Sequence, residues 1–258
     1  MRMLIQALAL LALWTFATVA PTLHQAGGEA SMAILVSKGL QWGFLAAPAV
    51  LAAAVLVLRW DRIGLKWPKQ ASGFILTWPS LLTSVAIAVA VTLVGLPPAR
   101  ALGFIAINTF LVGISEELMF RGLLFRGLVD RLSFWTTFWL TSVLFGGVHL
   151  LNGLITGDFT AAAVQAGSAF LSALFFLAVR LRAASLYPSI LAHWTWDLAV
   201  LTLALALTRS APSPHATTTT TGIAGLLVSL PFALYGLFLM RKGRAACPEW
   251  AMRDGAAR

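Results

Sequence analysis

Apolar residues run along this chain in long blocks separated by short polar clusters. A helix needs roughly 17–25 apolar residues to cross a bilayer. By that measure, spans are predicted near residues 3–22, 34–58, 73–96, 101–125, 134–152, 159–180, 184–207 and 222–240. The expected fold is therefore all-α, a polytopic membrane protein with about eight transmembrane helices. Residues 1–258 are expected to form one integral membrane domain, with its chemistry in a core over 100–200 and a basic tail over 241–258. The first block has features of a signal peptide, with Arg2 ahead of it and small residues near Ala20. It is long for such a segment, so a retained span is expected. There is no internal repeat, and the one low-complexity tract, SAPSPHATTTTTG at 210–222, reads as a flexible loop.

Composition sharpens this picture. Hydrophobic residues make up 59% of the chain and charged residues 10%, against about a quarter charged in ordinary soluble domains. The single cysteine, Cys247, rules out an internal disulfide. A formal charge of +9 raises the question of nucleic acid, but the basic residues lie in short clusters between apolar blocks. Such clusters anchor a protein on an anionic leaflet and do not form a nucleic-acid face. With eight spans, Arg2, Arg59, Arg62, Lys66, Lys69, Arg126, Arg131, Arg180, Arg182 and the RKGR tail fall on one side. Only Lys38, Arg100 and Arg209 fall on the other. The positive-inside rule then predicts a multi-pass protein of the cell inner (plasma) membrane with both termini cytoplasmic.

Against this background, NTFLVGISEELMFRGLLFRG at 108–127 stands out, because two adjacent acids occupy an apolar run. An unpartnered carboxylate in an apolar medium costs several kcal/mol. Inside the predicted spans lie the carboxylates Glu116, Glu117 and Asp197, the imidazoles His149 and His193, and Arg121. Ionisable groups at such depth face a cavity or one another. Glu116 and Glu117 are about 100° apart around a helix and so serve different roles. Glu117 and Arg121 stand at i,i+4 with the acid first, the favoured ion-pair order, which leaves Glu116 to point elsewhere. His193 and Asp197 repeat the i,i+4 spacing, and a carboxylate there would fix the imidazole tautomer. If the fourth helix turns into the fifth near Leu132, Glu116 and His149 come to one level, each roughly 24–26 Å along its helix from the turn. A single intramembrane histidine is commonly only hydrogen-bonded to a neighbour, and a Glu–Arg pair can be a mere clamp. Six ionisable groups on three spans look more like a site.

Three segments now carry a resemblance. EELMFR (Glu116, Glu117, Arg121), FGGVH (Phe145, His149) and HWTWD (His193, Asp197) fit the patterns EExxxR, FxxxH and HxxxN/D in order. The chain thereby resembles the CPBP intramembrane proteases, which include the Ras-converting CAAX endopeptidases and the bacterial abortive-infection proteins. The resemblance implies an eight-helix α-fold and hydrolysis of a peptide bond within the membrane. It assigns water activation to Glu116 with His149, and oxyanion stabilisation to His193 with the residue four further on. Glu117, Arg121 and Phe145 are implied as structural support. Asp stands at 197 where Asn is common, and a carboxylate donates a hydrogen bond only when protonated; Asp197 is therefore assigned to orienting His193.

Glu116, His149 and His193 form a set that could hold zinc with one position open. HExxH is absent, and the metal-free, glutamate-dependent description is preferred, so no cofactor is expected, with zinc the alternative. The expected partners are the lipid bilayer and a membrane-anchored polypeptide substrate, prenylated or not, with no nucleic acid. The site should open towards the cytoplasmic boundary, with Arg121, Arg126 and Arg131 as its rim or as an interfacial anchor. Two other functions fit the same residues: a proton-coupled transporter using the buried carboxylates, and a non-catalytic immunity or scaffold protein.

Overall fold

The computed structural model describes residues 1–29, 31–210 and 214–250, and among these every element is helical. In chain order the helices are α1 (Arg2–Ala26), α2 (Met32–Lys38), α3 (Trp42–Leu58), α4 (Ser72–Ile75), α5 (Trp78–Val94) and α6 (Ala99–Glu116). A π-helical stretch, Glu117–Leu124, continues α6 into α7 (Phe125–Val129). Then follow α8 (Phe134–Val148), a 3₁₀ turn over His149–Leu151, α9 (Asn152–Thr156), α10 (Phe159–Ala183), α11 (Tyr187–Ser210) and α12 (Pro214–Leu239).

Each of the eight apolar blocks is helical, but they are not eight equal spans. Among the described residues six helices are long and apolar enough to cross a membrane, or seven if the bent pair of α2 and α3 is one span. At the eighth place α5, with 17 residues, rises roughly 26 Å, just short of a hydrocarbon core of about 30 Å. The expected loop at 210–222 is only partly a loop. Its residues 211–213 lie outside the described residues, whereas α12 begins at Pro214 and runs through the threonines. Proline at a first helical position gives up no intrahelical hydrogen bond, and so can start a helix there.

The break in the second block has an identifiable cause. α2 and α3 meet at 83°, and the residues between them lose their helical backbone partners within the apolar region. Asn108 of α6 supplies replacements. Its Oδ1 accepts from the Gln41 amide at 3.0 Å, and its Nδ2 donates to the Val36 and Gly39 carbonyls at 2.9 and 2.8 Å. Backbone groups at membrane depth must be satisfied by protein when water is excluded. Asn108→Ala should therefore leave buried backbone groups without partners, at about 1–3 kcal/mol for each uncompensated group. A lowered unfolding temperature in detergent checks this, and an unchanged one would show that the break is held by something else.

The ends of the bundle that carry the basic clusters are tied together. The loop after α3 dips inward, burying Ile63 against Leu118 and Leu186, and the Gly64 carbonyl accepts from the Leu186 amide at 2.8 Å. Gly64 has a φ of +83°, and a Cβ there would lie 2.3 Å from Arg180 Nε, so only glycine fits. The buried Arg180 donates through Nη2 to the Arg62 carbonyl at 2.9 Å and to Glu249 at 2.8 Å. The expected basic tail is thus folded onto the bundle as far as it is described. Trp250 is fully buried beside Phe125, with ring centroids 6.1 Å apart, and residues 251–258 lie outside the described residues. The expected arginine rim does not form either. Arg121 and Arg126 are buried, Arg126 between Asp61 (3.1 Å) and Asp130 (2.5 Å), and only Arg131 is exposed.

Candidate active site

The six intramembrane ionisable residues converge where α6, α8 and α11 come together beside α10. Glu116 closes α6 and Glu117 opens the π-helical stretch, whose eight residues are all buried. A π-turn widens the helix and shifts the facing of every side chain beyond it, and such segments recur at functional sites. The change of winding falls between the two glutamates.

Glu117 is fully buried and serves two partners. Its Oε1 lies 3.4 Å from Arg121 Nη1 and 2.9 Å from His193 Nδ1. The intrahelical pair therefore extends across to α11. Arg121 packs its guanidinium 3.8 Å over the centre of the Phe145 ring, a cation–π contact in a desolvated setting. Phe145 is edge-on to Phe120 at 5.1 Å and lies against both histidines, 4.9 Å from the His149 ring and 5.9 Å from that of His193. The aromatic position of FGGVH is thus a spacer between the ion pair and the imidazoles.

His193 is held on three sides. Beyond the Glu117 contact, its Nε2 faces Asp197 at 3.3 Å and Glu116 at 3.6 Å, the latter outside hydrogen-bond range. Phe176 of α10 stacks flat on its ring at 4.8 Å and 14°. The i,i+4 contact with Asp197 is present, but the closer carboxylate is Glu117 on another helix. Glu117 in this second role and Phe176 were not singled out from sequence. Phe176 sits in SALFFLAV, where nothing separates it from ordinary core residues.

His149 stands at the end of α8, with its Nδ1 at 2.8 Å from the Phe145 carbonyl. Nδ1 then carries the proton, and Nε2 is left as the acceptor. Glu116, His149, His193 and Asp197 all line a cavity of about 250 Å³, with Phe145 and Phe176 in its wall. Glu116 Oε2 is buried and makes no hydrogen bond within the protein. A carboxylate oxygen in that state, beside a roomy cavity that also holds His149, His193 and Asp197, has its hydrogen-bonding capacity available to water or substrate.

The zinc set meets a geometric obstacle. Among the described residues no three His, Cys, Asp or Glu side chains are grouped so as to hold a metal ion. Both ring nitrogens of His193 face carboxylates instead. No step below runs through a metal.

Residues 98–199 match the family described as type II CAAX prenyl endopeptidase Rce1-like. The match starts just before α6 and ends within α11, enclosing all three motifs. The match supports a CPBP/CAAX protease family assignment for this part of the chain. No curated protein matches the chain.

Proposed function

We propose that this protein is an intramembrane endopeptidase, cutting a peptide bond of a membrane-tethered polypeptide with Glu116 as its base. The observation that carries the proposal is the Glu116 carboxylate, unbonded at Oε2 and facing His193 in a cavity shared with His149 and Asp197. The chain is read as a multi-pass protein of the inner membrane with both termini cytoplasmic. Its catalytic core spans 100–200, and the basic clusters rest on the cytoplasmic leaflet.

In this reading a water sits between Glu116 and His149. Glu116 takes one of its protons, and the His149 Nε2 lone pair orients it. The hydroxide adds to the scissile carbonyl carbon, and the carbonyl oxygen takes the negative charge. His193 faces that oxygen with Nε2. Because Nδ1–H is engaged by Glu117, donation from Nε2 requires a proton on each nitrogen, and Glu117 and Asp197 balance the charge. The proton held on Glu116 then passes to the leaving amine as the C–N bond breaks, which restores the carboxylate. A positioned base contributes roughly 10²–10⁴ in rate, and one preorganised oxyanion donor about 10²–10³. Glu117, Arg121, Phe145 and Phe176 are positioning residues, acting through His193.

A peptidase assay in detergent on wild type and Glu116→Gln, each with and without a chelator, tests the proposal. Cleavage by wild type that survives chelation and disappears in the variant is expected. Full hydrolysis by Glu116→Gln would overturn the assignment of the base, and loss on chelation would overturn the metal-free chemistry.

A further inference from the structure

Beyond the motif residues, the cavity wall is built from α1, α2, α3, α6, α8, α9, α10, α11 and α12, and most of it is apolar. The hydroxyls of Thr18, Thr109, Thr156 and Ser172 also line it, but each donates to a carbonyl of its own helix at 2.7–3.0 Å. Two carboxamides in the wall behave differently. Asn152 Nδ2 donates to Gln165 Oε1 at 2.9 Å, from α9 across to α10. That one bond leaves Asn152 Oδ1 as an acceptor and Gln165 Nε2 as a donor with no partner among the described residues. Turning both amides over changes which residue supplies which group, yet still leaves one donor and one acceptor.

The pair stands one helical turn beyond His149. The 3₁₀ turn over His149–Leu151 runs directly into α9 at Asn152. Side chains at i and i+3 of a 3₁₀ turn eclipse one another, so His149 and Asn152 share a face, and both line the cavity. The rise between them is roughly 6 Å, close to two residues of extended chain at about 3.3 Å each. A peptide whose scissile carbonyl lies beside His149 therefore brings a neighbouring residue to the level of the amides.

We propose that Asn152 and Gln165 form a main-chain subsite, holding the N–H and C=O of one substrate residue about two positions from the scissile bond. In an extended chain both groups of a residue point the same way, as they do when a strand residue exchanges two hydrogen bonds with its neighbour. The amide pair offers the matching acceptor and donor. Its hydrogen bonds replace those to water that a peptide group loses on entering a mainly apolar cavity. Backbone groups are the same in every residue, so the contact sets the register and direction of the substrate without reading its side chains. The subsite rests on the peptidase proposal, and its two residues lie outside the three motifs.

A series of backbone-altered substrates tests this on the full chain. In a fluorogenic, membrane-anchored peptide, ester linkages replace one at a time the peptide bonds within three residues of the scissile bond. Each ester removes one N–H and keeps the shape, and mass spectrometry confirms that the same bond is cut. With wild type, one ester about two positions from the scissile bond is expected to lower kcat/KM about two- to tenfold, the worth of one hydrogen bond. Asn152→Leu and Gln165→Met should each raise KM more than they lower kcat, the mark of lost binding, and at least one should erase the penalty of that ester. A wild type indifferent to every ester would overturn the subsite without any variant having to fold. A penalty that survives in both variants would also overturn it, leaving the amide pair as a tie between α9 and α10. Absence of cleavage of the parent peptide by wild type would instead overturn the peptidase proposal, and the subsite with it.

Discussion

Glu116→Gln is expected to lower peptidase activity by about 10²–10⁴, the range for removing a general base, while the protein keeps its unfolding temperature. Both halves of this expectation follow from the same geometry. Glu116 has one oxygen buried without a hydrogen bond, and its nearest ionisable neighbour, His193 Nε2, is 3.6 Å away. Gln fills the same volume but cannot accept a proton from water. Folding loses little, because no hydrogen bond of Glu116 Oε2 holds the helices together. Kinetics with a fluorogenic anchored peptide and thermal unfolding in the same detergent check the two halves. An unfolded variant would move Glu116 into the scaffold.

Glu117→Gln should do the reverse damage, striking stability first. Glu117 and Arg121 are 0% and 1% exposed, and neither Arg121 Nη1 nor Nη2 has a hydrogen bond. Removing the acid leaves a buried guanidinium without its counter-charge, which costs about 3–5 kcal/mol, a large share of a typical stability of about 5–15 kcal/mol. The double variant Glu117→Leu with Arg121→Met removes both charges, and replacement of a buried pair by apolar groups is often neutral or stabilising. It should therefore regain stability but not activity, because His193 Nδ1 has lost its 2.9 Å partner. Recovery of both would make the pair a clamp and nothing more. Recovery of neither would show that the π-helical turn itself needs the ions.

The sequence made the helices and the polar cluster legible for one reason: in an apolar chain each ionisable group is conspicuous, and helical spacing then relates groups on the same helix. Glu117 with Arg121 and His193 with Asp197 are such pairs, and the structure brings both within 4 Å. Contacts between helices leave no such trace. The bond from Glu117 to His193 joins residues 76 apart, and the flat stack of Phe176 on the imidazole involves one phenylalanine among several. The winding change at 117–124 was equally hidden, since a π-turn has the same residues as an α-turn. The arginines of RGLLFRGLVDR misled because their five-residue recurrence looks like a solvated face, whereas Asp61, 65 residues away, draws Arg126 inward. Asn108 repairs the broken backbone after α2 from 67 residues away, which local pattern does not convey.

The most direct measurement places the purified protein in sealed vesicles with a single-span, membrane-anchored polypeptide. New chain termini are read by mass spectrometry and proton flux by an internal pH dye. Wild type is expected to generate new termini at a bond close to the anchor and Glu116→Gln none, with no flux in either. An intact polypeptide together with proton flux that depends on Glu116 would contradict the peptidase and identify the buried carboxylates as a relay.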